Sequence, residues 1–164
     1  MFPKRSMFDL THERKYTCDM GALVPSFVQE VLPGDTFKCL TNAVVRLSPL
    51  LAPMMHRVDI FTHYYFVPYR LLWNNWQSFI TGGEDGTDAS VFPTVSSGAT
   101  GKATGTLWDY MGCPTNWTDD SSTPHTVANF SVSALPSRAY ALIFNEWYRD
   151  QNLIDPVAIS LAVS

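Results

Sequence analysis

The chain has 164 residues and 18.4 kDa, with 46% apolar and only 16% charged residues, and 11 Lys and Arg against 15 Asp and Glu give a net charge of −4. High hydrophobicity with small net charge excludes a disordered chain, and a mildly acidic total argues against a general nucleic-acid binder driven by phosphate neutralisation. No uncharged apolar run approaches the ~20 residues of a membrane-spanning helix, so membrane insertion is not expected.

The length fits one domain, which would bury about 70% of its unfolded surface. Against so few charges stand 5 Trp, 7 Tyr and 10 Phe. Interface cores are rich in aromatics and poor in charge, so a partner-covered surface is expected.

Taken in chain order, residues 1–22 read as an arm. Lys4, Arg5, Asp9, His12, Glu13, Arg14, Lys15 and Asp19 mix both signs around the apolar anchors Phe2, Phe8 and Leu10, with no strand or helix period. Basic residues at the start have no apolar run behind them, so no secretory signal is expected. Residues 23–164 are read as the domain proper. Pro33-Gly34-Asp35 marks a turn, with Pro fixing φ and Gly accepting a positive one. Residues 37–47 alternate as a strand, with Phe37, Cys39, Val45 and Leu47 on one face and Lys38, Asn42 and Arg46 on the other. Residues 58–67 are apolar on both faces and read as a strand needing two covering layers. Leu71, Leu72, Trp76 and Phe79 recur at helical spacing until Gly82-Gly83 stops them.

The stretch 82–129 is rich in Gly, Ser, Thr, Asp and Pro, with a short helix expected at 107–111; it reads as a surface insertion loop. A helix is expected over 136–151, with Pro136 in its first turn and Leu142, Ile143 and Trp147 buried. A last strand is expected over 157–163.

No motif carries chemistry. Residues 96–103 (SSGATGKA) resemble a phosphate loop but have Ser96 where Gly is needed and Ala103 where a hydroxyl would ligate Mg²⁺. The Gly82–Asp88 tract holds three carboxylates but no bidentate Glu at the calcium-loop offset, which leaves a solvated turn or an adventitious cation site. Cys18, Cys39, Cys113, His12, His56, His63 and His125 include no pair at zinc-ligand spacing. His63 is read as a hydrogen-bonded core or interface histidine, and the three cysteines as free thiols of a reducing compartment. No nucleophile context is present. No enzyme activity, cofactor, metal or catalytic residue is expected.

Long ordered tracts carry a resemblance. FDLTHERK at 8–15, CDMG at 18–21, EVLPGDTF at 30–37, HYYFVPYRLLW at 63–73, FITGGEDG at 79–86 and LPSRAYALIFNEWYRDQN at 135–152 resemble the major capsid protein of microviruses, the small single-stranded DNA phages, and especially their gokushovirus branch. The resemblance implies a mainly β fold: a viral jelly-roll, an antiparallel barrel or sandwich, with long inserted loops and a few short helices. It implies a bacteriophage coat protein that self-associates into a T=1 icosahedral capsid, with other virion and scaffolding proteins and packaged single-stranded DNA as partners. The DNA contact would be mostly non-specific, and the protein would reside in the virion after assembly in the host bacterial cytoplasm. Family members are several times longer, so this chain is expected to be the N-terminal part, with an incomplete barrel. The arm would face inward or cross to a neighbour, and Lys4, Arg5, Arg14 and Lys15 could meet phosphate. The alternative from the residues alone is a small β-rich, lectin-like binding module; a cytosolic hydrolase has no motif behind it.

Overall fold

The computed structural model describes residues 6–159. The chain divides into two units: one runs up to Val28 and resumes at Val67, and the other is Gln29–Phe66.

In the first unit, Pro68 sets φ at −67° and opens a 3₁₀ turn over Tyr69–Leu71, with the Leu72 amide donating to the Tyr69 carbonyl at 2.9 Å. The turn delivers two consecutive side chains to the interior: Leu72 is 1% and Trp73 0% exposed. Helix α1 (Trp76–Thr81) comes next and stops where the sequence predicts. Gly82 takes φ 83°, and its amide donates to the Ser78 carbonyl at 2.8 Å, a left-handed cap that glycine adopts without Cβ strain. Leu135, at the start of helix α3 (Leu135–Ile143), closes the core against Leu72 and Trp73, with Val67, Tyr69, Trp76, Ala139 and Leu142 around it. Arg138 ties α3 to this turn, donating to the Leu72 carbonyl at 3.0 Å.

Two antiparallel ladders lie between α1 and α3. Strand β1 (Thr94–Ser96) pairs with β4 (Ser131–Ser133) in the register Thr94↔Ser133, Val95↔Val132, Ser96↔Ser131. Single bonds extend the ladder at both ends: Ala134 donates to the Pro93 carbonyl, Ser97 to Phe130, and Asn129 to Gly98, each at 2.9 Å. Strand β2 (Trp117–Thr118) pairs with β3 (Pro124–His125) as a hairpin, with Trp117 stacked on His125 at 4.1 Å. Helix α2 (Leu107–Tyr110) stands between them and ends, as expected, before Gly112 at φ 83°. The stretch 82–129 therefore carries β1, α2 and the hairpin, and includes the buried Pro93 and Ser97. The described residues form no closed barrel.

In the second unit the turn at 32–35 is as expected, with Gly34 at φ 87° and the Asp35 amide donating to the Leu32 carbonyl at 3.1 Å. The strands expected over 37–47 and 58–67 do not form. Both runs lack ladder partners and are joined by a hydroxyl contact between Thr41 and Tyr64. A strand is stabilised by its neighbours, and two runs alone are marginal in water.

Two further expectations are corrected. The helix of 136–151 is regular only to Ile143 and continues as a π-helical turn over Phe144–Tyr148, closed by the Arg149 amide on the Phe144 carbonyl at 2.8 Å. An extra residue in a turn rotates the downstream side chains by about 100°. Leu142 keeps its place on the core, but Trp147 is carried outward and is 71% exposed, not buried. Of the expected strand 157–163, residues 157–159 form no ladder and the remainder lies outside the described residues. Asn145 holds Val157 as a strand would, its side-chain amide accepting from the Val157 N–H and donating to the Val157 carbonyl, both at 2.9 Å.

Candidate assembly surface

The tracts that resembled ligand sites are used internally or left open. The Ser97 hydroxyl, 1% exposed, donates to the Val127 carbonyl at 2.7 Å and accepts from the Phe130 amide at 3.1 Å. Gly101 sits so close to Asn116 that a Cβ there would lie 2.1 Å from its side-chain oxygen. Asn116 stitches the loop shut, donating from its side chain to the Thr100 carbonyl and accepting from the Val127 amide, both at 2.9 Å. These bonds make the tract a folded crossover in which Ser97 and Asn116 serve the main chain. In the Gly82–Asp88 tract, Asp88 accepts from the Ser90 hydroxyl at 2.9 Å, and Glu84 and Asp85 are exposed. Among the described residues no three His, Cys, Asp or Glu side chains converge as metal ligands, and no helix is long and apolar enough to cross a membrane.

Cys18 and Cys39 are exposed free thiols, and burial pushes the half-buried Cys113 thiol up, towards its unreactive form. His63 is exposed and stacks on Tyr65 with ring centroids 6.3 Å apart. In the β2–β3 hairpin, the Thr123 amide holds the Asp119 carboxyl below its ordinary pKa, partly offset by burial, with His125 adding in the same direction from 3.3 Å.

Of the four cations expected to face phosphate, the two that are described differ in what they meet. Lys4 and Arg5 lie outside the described residues. Lys15 is exposed and pairs with Glu13 at 3.3 Å. Arg14 donates to the carbonyls of Ser26 at 3.0 Å, Asp109 at 3.2 Å, and Tyr110. The last two lie at the C-terminal end of α2, where a cation is favoured, and the Asp109 carbonyl also accepts from the Gly112 amide at 2.9 Å.

The largest feature is apolar. The accessible surface is 13974 Å², whereas a folded monomer of this mass exposes about 8,200 Å². One partner of a standard protein interface contributes about 800 Å², so a single ordinary contact covers only a small part of the difference. In the second unit Val44 is 98%, Phe61 79% and Phe66 78% exposed, with Leu40, Leu51 and Met55 open as well. In the first unit Met7, Phe8, Trp147 and Leu153 are likewise exposed. Large exposed apolar area marks an interaction surface. Sequence reasoning anticipated the aromatic load but not Ser97, Asn116 or the Arg14 contacts, because isolated polar residues carry no periodic signal.

A small buried core, a total accessible surface well above that of a compact monomer of this mass and many large apolar side chains left open define a chain suited to being packed against other polypeptide. Comparison with known proteins gives the class a family. Residues 2–163 match the phage family described as "Capsid protein (F protein)", and the chain belongs to it. It is similar to capsid protein VP1 of Chlamydia phage 1, with 43% identity over 164 aligned positions covering 95% of this chain and 26% of the relative. Capsid protein VP1 of Bdellovibrio phage phiMH2K is 37% identical over 94% of this chain and 28% of its own length, and that of Spiroplasma virus 4 is 30% identical over 96% and 27%. The chain thus spans about a quarter of the length of these relatives.

Proposed function

We propose that this chain is part of a structural major capsid protein that self-assembles into a small T=1 icosahedral shell around a circular single-stranded DNA genome. The observation that carries the reading is the exposed apolar surface, which fits a chain that is stable only when covered by the rest of its polypeptide and by neighbouring copies. The two extended runs 37–47 and 58–67 supply strands of a jelly-roll whose other strands come from further sequence. Other virion and scaffolding proteins are further partners. The DNA contact is mostly non-specific and falls to Lys4, Arg5 and Lys15 rather than to Arg14, whose donors are engaged. Assembly takes place in the host bacterial cytoplasm, and the product resides in the virion.

The test is to produce the whole polypeptide of which this chain is part in bacteria that also hold a replicating circular single-stranded DNA, and to examine it by electron microscopy and sedimentation, with nuclease treatment before DNA extraction. Uniform closed particles containing nuclease-resistant single-stranded DNA are expected. A soluble monomer that never assembles under any tested condition would defeat the proposal.

A further inference from the structure

Residues 12–22 belong to the segment read as an arm, yet with Leu23 they are fastened at several points to parts of the chain about a hundred positions away. Arg14 bridges the Ser26 carbonyl and the last carbonyls of α2. The Tyr110 hydroxyl donates to the Thr17 carbonyl at 2.8 Å, and the Tyr140 hydroxyl of α3 donates to the Leu23 carbonyl at 2.9 Å. Tyr16 meets Tyr110 edge to face with centroids 6.0 Å apart, and His12 lies 4.6 Å from Phe27. Each donor side chain reaches a main-chain carbonyl, so the contacts hold the path of the segment as much as its side chains. The planar guanidinium fork holds several carbonyls in a fixed arrangement, which the flexible, rotating ammonium of a lysine does less well.

We infer that residues 12–23 are an intramolecular strap that stays on its own chain in the assembled protein, and that exchange between copies is confined to the residues ahead of it. This rests on the shell-forming reading above and sets a limit on it: the strap links α2 and α3 within one subunit, and only the lead through Met7, Phe8 and Leu10 is left to cross. Those three side chains are exposed, and among the described residues of the lead the polar contacts are local: the Thr11 amide and hydroxyl donate to the Asp9 carboxylate, and the His12 ring pairs with the Leu10 carbonyl.

The test uses the native tyrosines. Assembled protein is made from an equal mixture of unlabelled and ¹⁵N-labelled chains, its close tyrosines are coupled by brief photo-oxidation, and the coupled peptides are read by mass spectrometry. The strap gives Tyr16–Tyr110 pairs that are light–light or heavy–heavy only. Light–heavy pairs making up half of the product would show the segment crossing between copies, and absence of a Tyr16–Tyr110 product would show that the strap does not form. Arg14→Gln is expected to lower the Tyr16–Tyr110 yield several-fold, with Arg14→Lys intermediate; an unchanged yield in both would remove Arg14 from the strap and overturn the inference. Particle formation is scored separately by electron microscopy. A protein that does not assemble but still couples Tyr16 to Tyr110, with the yield falling in Arg14→Gln, would refute the shell reading and leave the strap standing.

Discussion

Two tryptophans make the sharpest stability comparison, because the same truncation should have opposite consequences. Trp73 is 0% exposed, packed with Leu72 and Leu135 and 5.3 Å from the Phe79 ring. An indole buries roughly 200 Å², which at about 25 cal/mol per Å² is on the order of 5 kcal/mol. Partial collapse of the cavity brings the expected loss for Trp73→Ala to about 3–5 kcal/mol. The Trp73 indole N–H reaches no acceptor among the described residues. Trp73→Phe therefore removes a buried unpaired donor costing about 1–3 kcal/mol, offsetting much of the lost area, and should be milder than Trp73→Ala by about 2 kcal/mol or more. Trp147 is 71% exposed, so less than a third of its area is at stake and Trp147→Ala should cost at most about 1.5 kcal/mol. Pulse proteolysis across a urea gradient reads these losses in small quantities of protein without using tryptophan as the probe. Equal losses for the two alanine variants would refute the core assignment, and so would Trp73→Phe as damaging as Trp73→Ala.

Ser97→Ala should cost about 2–4 kcal/mol by stranding the Val127 carbonyl and the Phe130 amide, whereas Ser96→Ala at an exposed neighbour should cost under about 1 kcal/mol; the same urea gradient compares them. Gly101 and Gly105 both take positive φ, at 65° and 74°, but only Gly101 also faces Asn116. Gly101→Ala should therefore cost about 2–4 kcal/mol and Gly105→Ala about 1–2 kcal/mol, and a short Gly-Ser insertion should be tolerated at 105 but not at 101, scored by thermal unfolding. Burial raises the Tyr140 pKa above its ordinary value. The folded state then holds that proton more tightly, so its contribution is complete below the ordinary tyrosine range near pH 10 and is lost as pH rises through the folded value. Tyr140→Phe should flatten the fall in stability as pH rises above about 10 without steepening it elsewhere. Removal of residues 1–11 should impair assembly or DNA content more than folding, while removal of 1–23 should also loosen α2; sedimentation and circular dichroism separate the two.

Local stereochemistry was legible in the sequence. The turn at 32–35, the stop of α1 at Gly82 and the end of α2 before Gly112 come from where Pro and Gly stand. The apolar character of 37–47 and 58–67 was also legible, but the absence of a ladder was not, because pairing depends on neighbouring strands and the described residues place none beside these runs. The π-helical turn escaped because it leaves the apolar pattern of 136–151 intact while changing which residues face inward, and Trp147 moved with it. Arg14, Ser97 and Asn116 escaped for a different reason. Each works by meeting main-chain carbonyls or amides brought close by the fold, and a carbonyl has no sequence signature. The resemblance over long tracts located the family without any of these details.

The most direct test of the central proposal is hydroxyl-radical footprinting of the exposed apolar side chains, comparing this 164-residue chain with assembled particles of the whole polypeptide. Met55, Phe61 and Phe66 are open in the chain alone and should oxidise readily there. In particles they are expected to be strongly protected, with Lys15, already exposed at the protein surface, unchanged in its reactivity to a lysine reagent or shielded only when DNA is present. Equal oxidation of Met55, Phe61 and Phe66 in both samples would mean that assembly does not cover this surface, and would contradict the proposal.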